Sequence, residues 1–326
     1  MKKIYGNSYL LSVLDNMIAH NKAAHSLLIY GEKGCGKKLI ANRYTAQLLC
    51  ESPVSGAPCG VCSACRNVEA GHHPDVTYAE TSGKLGGYSV DTARSIIADA
   101  FIKPNNNTGR KVYQFRDCRN MDERTQNTLL KLIEEPPDYA YFIFTAASKY
   151  EFLPTIISRC ICLGAAPCSE EDAGTALTEE GFPENEVRDA VSCFHGNIGL
   201  CREFITQPEL RNMVDLTKNL ADSIIRKDEY SLSRVMCSVN ERNAVRTLLS
   251  MADLLFRDAA VIAEDSNAAA AGCFRQGAVR LAGMLTPSQS AAVHRAIEHA
   301  WRAVESNVMI PLVLEALCGE IMDIAG

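Results

Sequence analysis

The sequence has no apolar run long enough to cross a bilayer, no dense block of lysine and arginine, and no internal repeat. The first absence argues against a membrane partner and leads to the expectation of a cytoplasmic globular protein. The second, with a formal net charge of −6, argues against strong autonomous binding to nucleic acid, because a surface that reads phosphates needs a concentrated positive field. Contact with DNA is therefore expected only through an assembly. A leader peptide is not expected, since the basic start Met1-Lys2-Lys3 is followed by periodic apolar residues interrupted by Asp15 and Asn16. Tryptophan is nearly absent, and the single Trp301 falls at helical spacing with Val293, Ile297, Ala300 and Val304, which reads as core.

What is present is enough for a sizeable core: 326 residues, 47% of them hydrophobic, in two or three domains. Leu10, Val13, Leu14, Met17 and Ile18 recur at helical spacing, and Leu27 to Tyr30 reads as a buried strand with a helix near Ile40 to Leu49. Further strands are expected at Val76 to Ala79, Val112 to Phe115 and Tyr141 to Thr145, with a helix at Val90 to Ala100. Gly83-Lys84-Leu85-Gly86-Gly87 and the segment from Pro104 to Gly109 read as surface loops. This βα alternation predicts an α/β domain with a parallel sheet and ligands at the carboxyl ends of the strands. After about Gly164 the strands stop and helical patterns run to the end.

Between the first strand and its helix lies Gly31-Glu32-Lys33-Gly34-Cys35-Gly36-Lys37-Lys38, a phosphate-binding loop. Gly31, Gly34, Gly36 and Lys37 suit the cradling of ATP or ADP phosphates. The position after the lysine lacks the serine or threonine that would hold magnesium, and Lys38 has no lone pair to offer instead. The third strand, which should end in acidic residues, runs into Arg116-Asp117. Arg116 takes the metal carboxylate's place and Asp117 that of the water-positioning acid. Two positions that should share one magnesium are both cationic, so no Mg²⁺ and no intrinsic hydrolysis are expected, and Asp117 is read as solvated or paired with a neighbouring arginine.

Fourteen cysteines without a leader suggest free thiols or metal. Cys50, Cys59, Cys62 and Cys65, spaced C-x8-C-x2-C-x2-C in a loop with Pro53, Gly56, Pro58 and Gly60, read as a structural zinc knuckle with a closed coordination sphere. Cys193, Cys201, Cys237 and Cys318 sit in apolar helical patterns and read as small core residues. His72 and His73 are near the knuckle but not needed by it, and Glu134-Glu135 reads as a solvated or capping charge run.

The run from His25 to Gly31, the four-cysteine knuckle, Asn127-Thr128-Leu129-Leu130-Lys131-Leu132-Ile133-Glu134-Glu135-Pro136-Pro137 and Leu153-Pro154-Thr155-Ile156-Ile157-Ser158-Arg159-Cys160 together resemble the bacterial DNA polymerase III clamp-loader subunits. The resemblance covers the whole chain. It implies an AAA+ domain at 1–163 with the zinc module near 50–65, a small helical lid at 164–207 and an all-helical collar for oligomerisation at 208–326. Within the family, Lys38, Arg116 and the lack of an arginine in Gly196-Asn197-Ile198-Gly199-Leu200 are similar to the non-hydrolysing delta prime type rather than the gamma or tau motors, and no tau-like extension is expected. The resemblance implies gamma/tau and delta subunits, the sliding clamp and primed DNA as partners, and gives Arg159 the role of an arginine finger donated to a neighbour's nucleotide. Two alternatives stay open: a working gamma-type ATPase with an unusually held metal, and a zinc-containing adaptor that binds nucleic acid directly.

Overall fold

A computed structural model describes residues 2–81 and 87–326, so residues 83–86 of the expected glycine-rich loop lie outside the described residues. The chain divides into two compact units, Met1–Asp172 and Ala173–Gly326.

In the first unit α1 (Ser8–Ala19) leads to β1 (Ser26–Tyr30), α2 (Lys37–Leu49), α3 (Ser63–Ala70), β2 (Val76–Tyr78), α4 (Val90–Ala100) and β3 (Lys111–Phe115). There follow α5 (Glu123–Glu134), β4 (Ala140–Ala146), the single turn α6 (Pro154–Ile157) and β5 (Ile161–Gly164). The strands form one parallel sheet in the order β2-β3-β4-β1-β5. Every residue of β3 and β4 is buried, as expected where helices cover both faces of a parallel sheet.

The period-2 alternation sorts the side chains. Leu27, Ile29, Val112, Tyr141 and Ile143 pack with α1 and α2 on one face, whereas Leu28, Tyr113, Phe115, Phe142 and Phe144 pack with α4 and α5 on the other. The register that pairs Tyr113 with Phe142 and Phe115 with Phe144 stacks their rings at 5.2 and 4.8 Å. Strand β5 was not among the sequence's expected strands. Four residues on a sheet edge, exposed at both ends, leave too short an apolar run to read.

The knuckle loop is fastened to α1. Gly56 has φ +84°, and a Cβ there would lie 1.9 Å from the carbonyl oxygen of Asp15. Gln47 Nε2 donates to Gly56 O at 2.9 Å and to Asp15 Oδ1 at 2.6 Å, while Arg43 Nη2 reaches the same carboxylate oxygen at 2.5 Å. Asp15, which in the sequence only interrupts an apolar pattern, thus joins α1, α2 and the knuckle loop.

The second unit contains α7 (Glu170–Glu179), whose first residues lie before the boundary, α8 (Glu184–Phe194), α9 (Ile198–Thr206), α10 (Pro208–Ile225), α11 (Glu229–Met236), α12 (Arg242–Glu264), α13 (Arg275–Ala282), α14 (Pro287–Glu305) and α15 (Ile310–Ala325). It holds two buried clusters, one centred on α7 to α9 and the start of α10, the other on α10 to α15. Cys193, Cys201 and Cys318 are buried within these clusters, and Trp301 and Cys237 pack partly buried against the second. The buried Asp258 of α12 accepts the N–H groups of Ala271 and Gly272 at 3.0 and 2.7 Å, tying down the chain ahead of α13.

Gly56→Ala combines a left-handed backbone with a steric overlap against Asp15. It is expected to destabilise the first unit by more than about 1 kcal/mol, read as a lower urea midpoint at unchanged slope; a midpoint equal to that of the parent would remove the docking argument.

Candidate functional site

Strand β1 delivers Gly31 to the carboxyl end of the sheet, where its N–H donates to Ala146 O at 3.2 Å at the end of β4. A Cβ on Gly31 would stand 2.1 Å from Ala165 O, so only glycine lets the loop pass this close to the chain leaving β5. Gly36 forms the N-cap of α2 with no side-chain cap, which leaves the helix amino end suited to an anion. Lys37 Nζ lies across its own loop, donating to Gly31 O at 2.5 Å and Glu32 O at 2.7 Å. Burial lowers its affinity for the proton, with Cys35 and Asp117 opposing that fall. Burial, helped by Glu32, pushes the Cys35 thiol up to about 11, so this loop cysteine is an inert packing group. Lys38 is exposed on the first turn of α2.

At the end of β3 the two consecutive residues part company. Arg116 turns into a polar network: its Nε donates to Gln114 Oε1 at 3.0 Å, its Nη2 to Asn42 Oδ1 at 2.8 Å, and its guanidinium lies 4.1 Å from the centre of the Tyr78 ring. Gln114, almost wholly buried, in turn donates to Thr45 Oγ1 at 2.7 Å. The arginine is therefore bound to β2, β3 and α2 by a cation–π contact and charge-assisted hydrogen bonds. The sequence signal for this network is Gln114, an amide in a strand buried on both faces.

Asp117 instead faces the loop's cations. Both its oxygens accept from Arg119 at 2.7 Å, and this pairing, reinforced by Lys37 and Lys38, holds its carboxyl below the ordinary range. Its backbone N–H donates to Thr145 Oγ1 at 2.9 Å on β4, and its φ is +59°. The expected arginine partner of Asp117 is thus Arg119. Glu151 also lies within electrostatic reach of Asp117 and Arg119; one of its oxygens caps the turn through Ser148 N–H at 3.1 Å, and burial raises its pKa. Lys37, Lys38 and Arg119 set against Asp117 can attract an anion, but Lys38 and Arg116 supply no oxygen for a divalent cation.

Arg159 sits in the turn between α6 and β5. Its Nη1 donates to Thr155 O at 2.8 Å and Ser158 Oγ at 3.3 Å, and its Nη2 meets Glu134 Oε1 at 2.7 Å. Both partners of this ion pair are well exposed, at 38% and 41% of side-chain area. Because β1 and β5 are parallel and paired Leu27 to Ile161 through Tyr30 to Gly164, Arg159 lies at the amino end of this strand pair and the phosphate loop at its carboxyl end. Three residue steps of strand separate those ends by roughly 10 Å.

The four sulfurs of Cys50, Cys59, Cys62 and Cys65 all lie within 4.8 Å of one another. Tetrahedral zinc with Zn–S near 2.3 Å requires sulfurs roughly 3.8 Å apart, so a small contraction would complete the sphere. Backbone N–H groups of Cys59, Cys62 and Cys65 point at Cys50, Cys59 and Cys62 Sγ at 3.3, 3.3 and 3.4 Å, respectively. Such donors favour thiolates: those from Val61 and Cys62 bring the Cys59 thiol down to about 6, while burial raises Cys50 and Cys65. The donor set fits a structural metal. His73 belongs elsewhere, being buried with its Nδ1 accepting the N–H of Asp75 at 3.2 Å.

Of the arginines of α12, Arg242 pairs with Asn307 at 2.7 Å, Arg246 with Glu305 at 2.5 Å, and Arg257 lies 3.7 Å from Asp258. Among the described residues no helix is long and apolar enough to cross a membrane.

A model of the family described as DNA polymerase III, delta subunit, matches residues 6–168, half of the chain. The delta' subunit of Pseudomonas aeruginosa is 35% identical over 161 residues, 48% of this chain and 49% of that protein. The delta' subunit of Escherichia coli is 29% identical over 71% of this chain and 68% of its own length. The tau/gamma subunit of Haemophilus influenzae is 26% identical over 77% of this chain but 37% of its own length. The chain thus spans less than half the length of the Pseudomonas and Haemophilus relatives. The matched stretch carries the phosphate loop, the cysteine knuckle and the Ser158-Arg159-Cys160 turn on one parallel sheet, and the chain belongs to the DNA polymerase III clamp-loader family.

Proposed function

We propose that this chain is a delta prime-type subunit of the cytoplasmic replicative clamp loader, which helps an ATP-driven assembly of gamma/tau and delta subunits place the sliding clamp on primed DNA. The observation that carries the reading is the fate of Arg116. A residue bound to Asn42, Gln114 and the Tyr78 ring has become part of the packing of β3 on α2. With Lys38 on the adjoining helix, it leaves a nucleotide site that can attract phosphate and has lost two positions that should serve magnesium.

Arg159 completes the proposal. Its place at the end of β5 opposite to the phosphate loop suits donation to a neighbouring subunit's nucleotide, where a guanidinium offsets charge on the transferring phosphoryl group. The lid at 164–207 and the collar at 208–326 are supported by the two buried clusters of the second unit, which meet along α10. Structural zinc on Cys50, Cys59, Cys62 and Cys65 is supported by their convergence and by the N–H···S contacts.

The second reading is a gamma/tau-type ATPase. It is favoured by the retained Lys37 and loop glycines and by the tau/gamma relative's alignment over more of this chain than the Pseudomonas delta' alignment covers. The isolated chain is expected to hydrolyse ATP no faster than buffer, and steady magnesium-dependent turnover would establish the second reading instead. In a reconstituted loader stimulated by clamp and primed DNA, Arg159→Ala should lower ATPase by about 10²- to 10³-fold while assembly on gel filtration stays intact; an unchanged rate would leave only an architectural role. The purified chain should carry one zinc ion, and its removal by chelator should lower the melting temperature by roughly 2–4 °C for each kcal/mol lost. Zinc absent by metal analysis from chain expressed in zinc-supplemented medium would contradict the knuckle.

A further inference from the structure

We propose that Glu134 is a positioning residue for Arg159, an inference that rests on the trans role proposed for that arginine. The carboxylate comes from the last residue of α5 and meets Arg159 Nη2 at 2.7 Å, while Thr155 O and Ser158 Oγ receive Nη1 at 2.8 and 3.3 Å. Both terminal nitrogens are therefore held from the protein side. These contacts use three of the five N–H donors of a guanidinium, leaving two for an oxyanion supplied from outside.

Nothing local explains a carboxylate at this place. A negative charge in the last turn opposes the helix dipole, and Glu135, also exposed, follows it directly. The ion pair is itself too exposed to contribute much to folding, since pairs of this kind are worth about 0–1 kcal/mol. Its effect is geometric. An unrestrained arginine loses considerable rotamer freedom when it engages a phosphate, and Glu134 removes part of that freedom before the neighbour arrives. The topology makes the meeting possible, because α5 ends where the chain turns toward the amino end of β4, the same end of the sheet at which Arg159 precedes β5.

The test uses a loader reconstituted with gamma/tau and delta subunits and stimulated by clamp and primed DNA. Glu134→Ala is expected to lower kcat by roughly 3- to 30-fold, the range set by the arginine's rotamer freedom, with little change in KM for ATP, in assembly or in the melting temperature of the free chain. Glu134→Gln, which keeps a neutral acceptor, should lie between Ala and the parent. On an Arg159→Ala background Glu134→Ala should have no further effect. A loss in Arg159→Ala with none in Glu134→Ala would overturn the positioning role and leave the arginine finger standing. A faster loader with Glu134→Ala would overturn it in the other direction, making Glu134 a restraint, and an equal loss on both backgrounds would place its action elsewhere. No effect of Arg159→Ala itself would remove the trans reading and this inference with it.

Discussion

The fold of the first unit depends on β3, β4 and β1 lying parallel between two helical layers. Once the strands run in one direction, the loop after β1 and the turn after β3 must come out together at one end, and the turn between α6 and β5 at the other. The stacked pairs Tyr113–Phe142 and Phe115–Phe144 hold the β3–β4 register. That register also places the Asp117 N–H against Thr145, and the carboxylate, paired with Arg119, lies within electrostatic reach of Lys37 and Lys38. The phosphate end and the arginine end are thus consequences of one directional choice.

At the glycine-loop end, the two residues that stand where magnesium ligands are expected have surroundings of their own. An arginine where a metal carboxylate is expected would leave a poorly satisfied charge unless the surroundings supplied partners. Asn42, Gln114 and Tyr78 do so. The neighbouring Asp117 is taken up by Arg119, and Lys37 lies on the carbonyls of its own loop. Each of these charges is thus met from within the protein, Arg116 by amides and a ring, Asp117 by an arginine and Lys37 by backbone carbonyls. The knuckle loop, with little apolar content of its own, brings four thiols together on one side and presses Gly56 against Asp15 on the other.

The sequence by itself was sufficient for the α/β class, the parallel sheet and most strands, because Leu27 to Tyr30 and Tyr141 to Thr145 are continuous apolar runs and the glycine loop has a fixed place between strand and helix. The cysteine cluster was legible for the same reason: two-residue spacings bring thiols together locally, whatever the rest of the chain does. Motif order alone also marked Lys38 and Arg116 as cations at positions where magnesium ligands are expected. Beyond the pairing of Asp117 with a neighbouring arginine, polar and charged partners were not legible in this way. Glu134 read as one of two solvated acids, Asp15 as an interruption and Gln114 as part of an apolar strand.

Only the tertiary structure decided that Glu134 meets Arg159, that Asp15 joins α1 to the knuckle loop through Arg43 and Gln47, and that Arg116 and Asp117 face different partners. Each of these is a contact between segments far apart in the chain or on different faces of one strand end. Periodicity and motif spacing report which residues share a face, whereas the partner of a polar side chain depends on strand order, register and where each helix stops. These are properties of the assembled sheet, and no local stretch of sequence contains them.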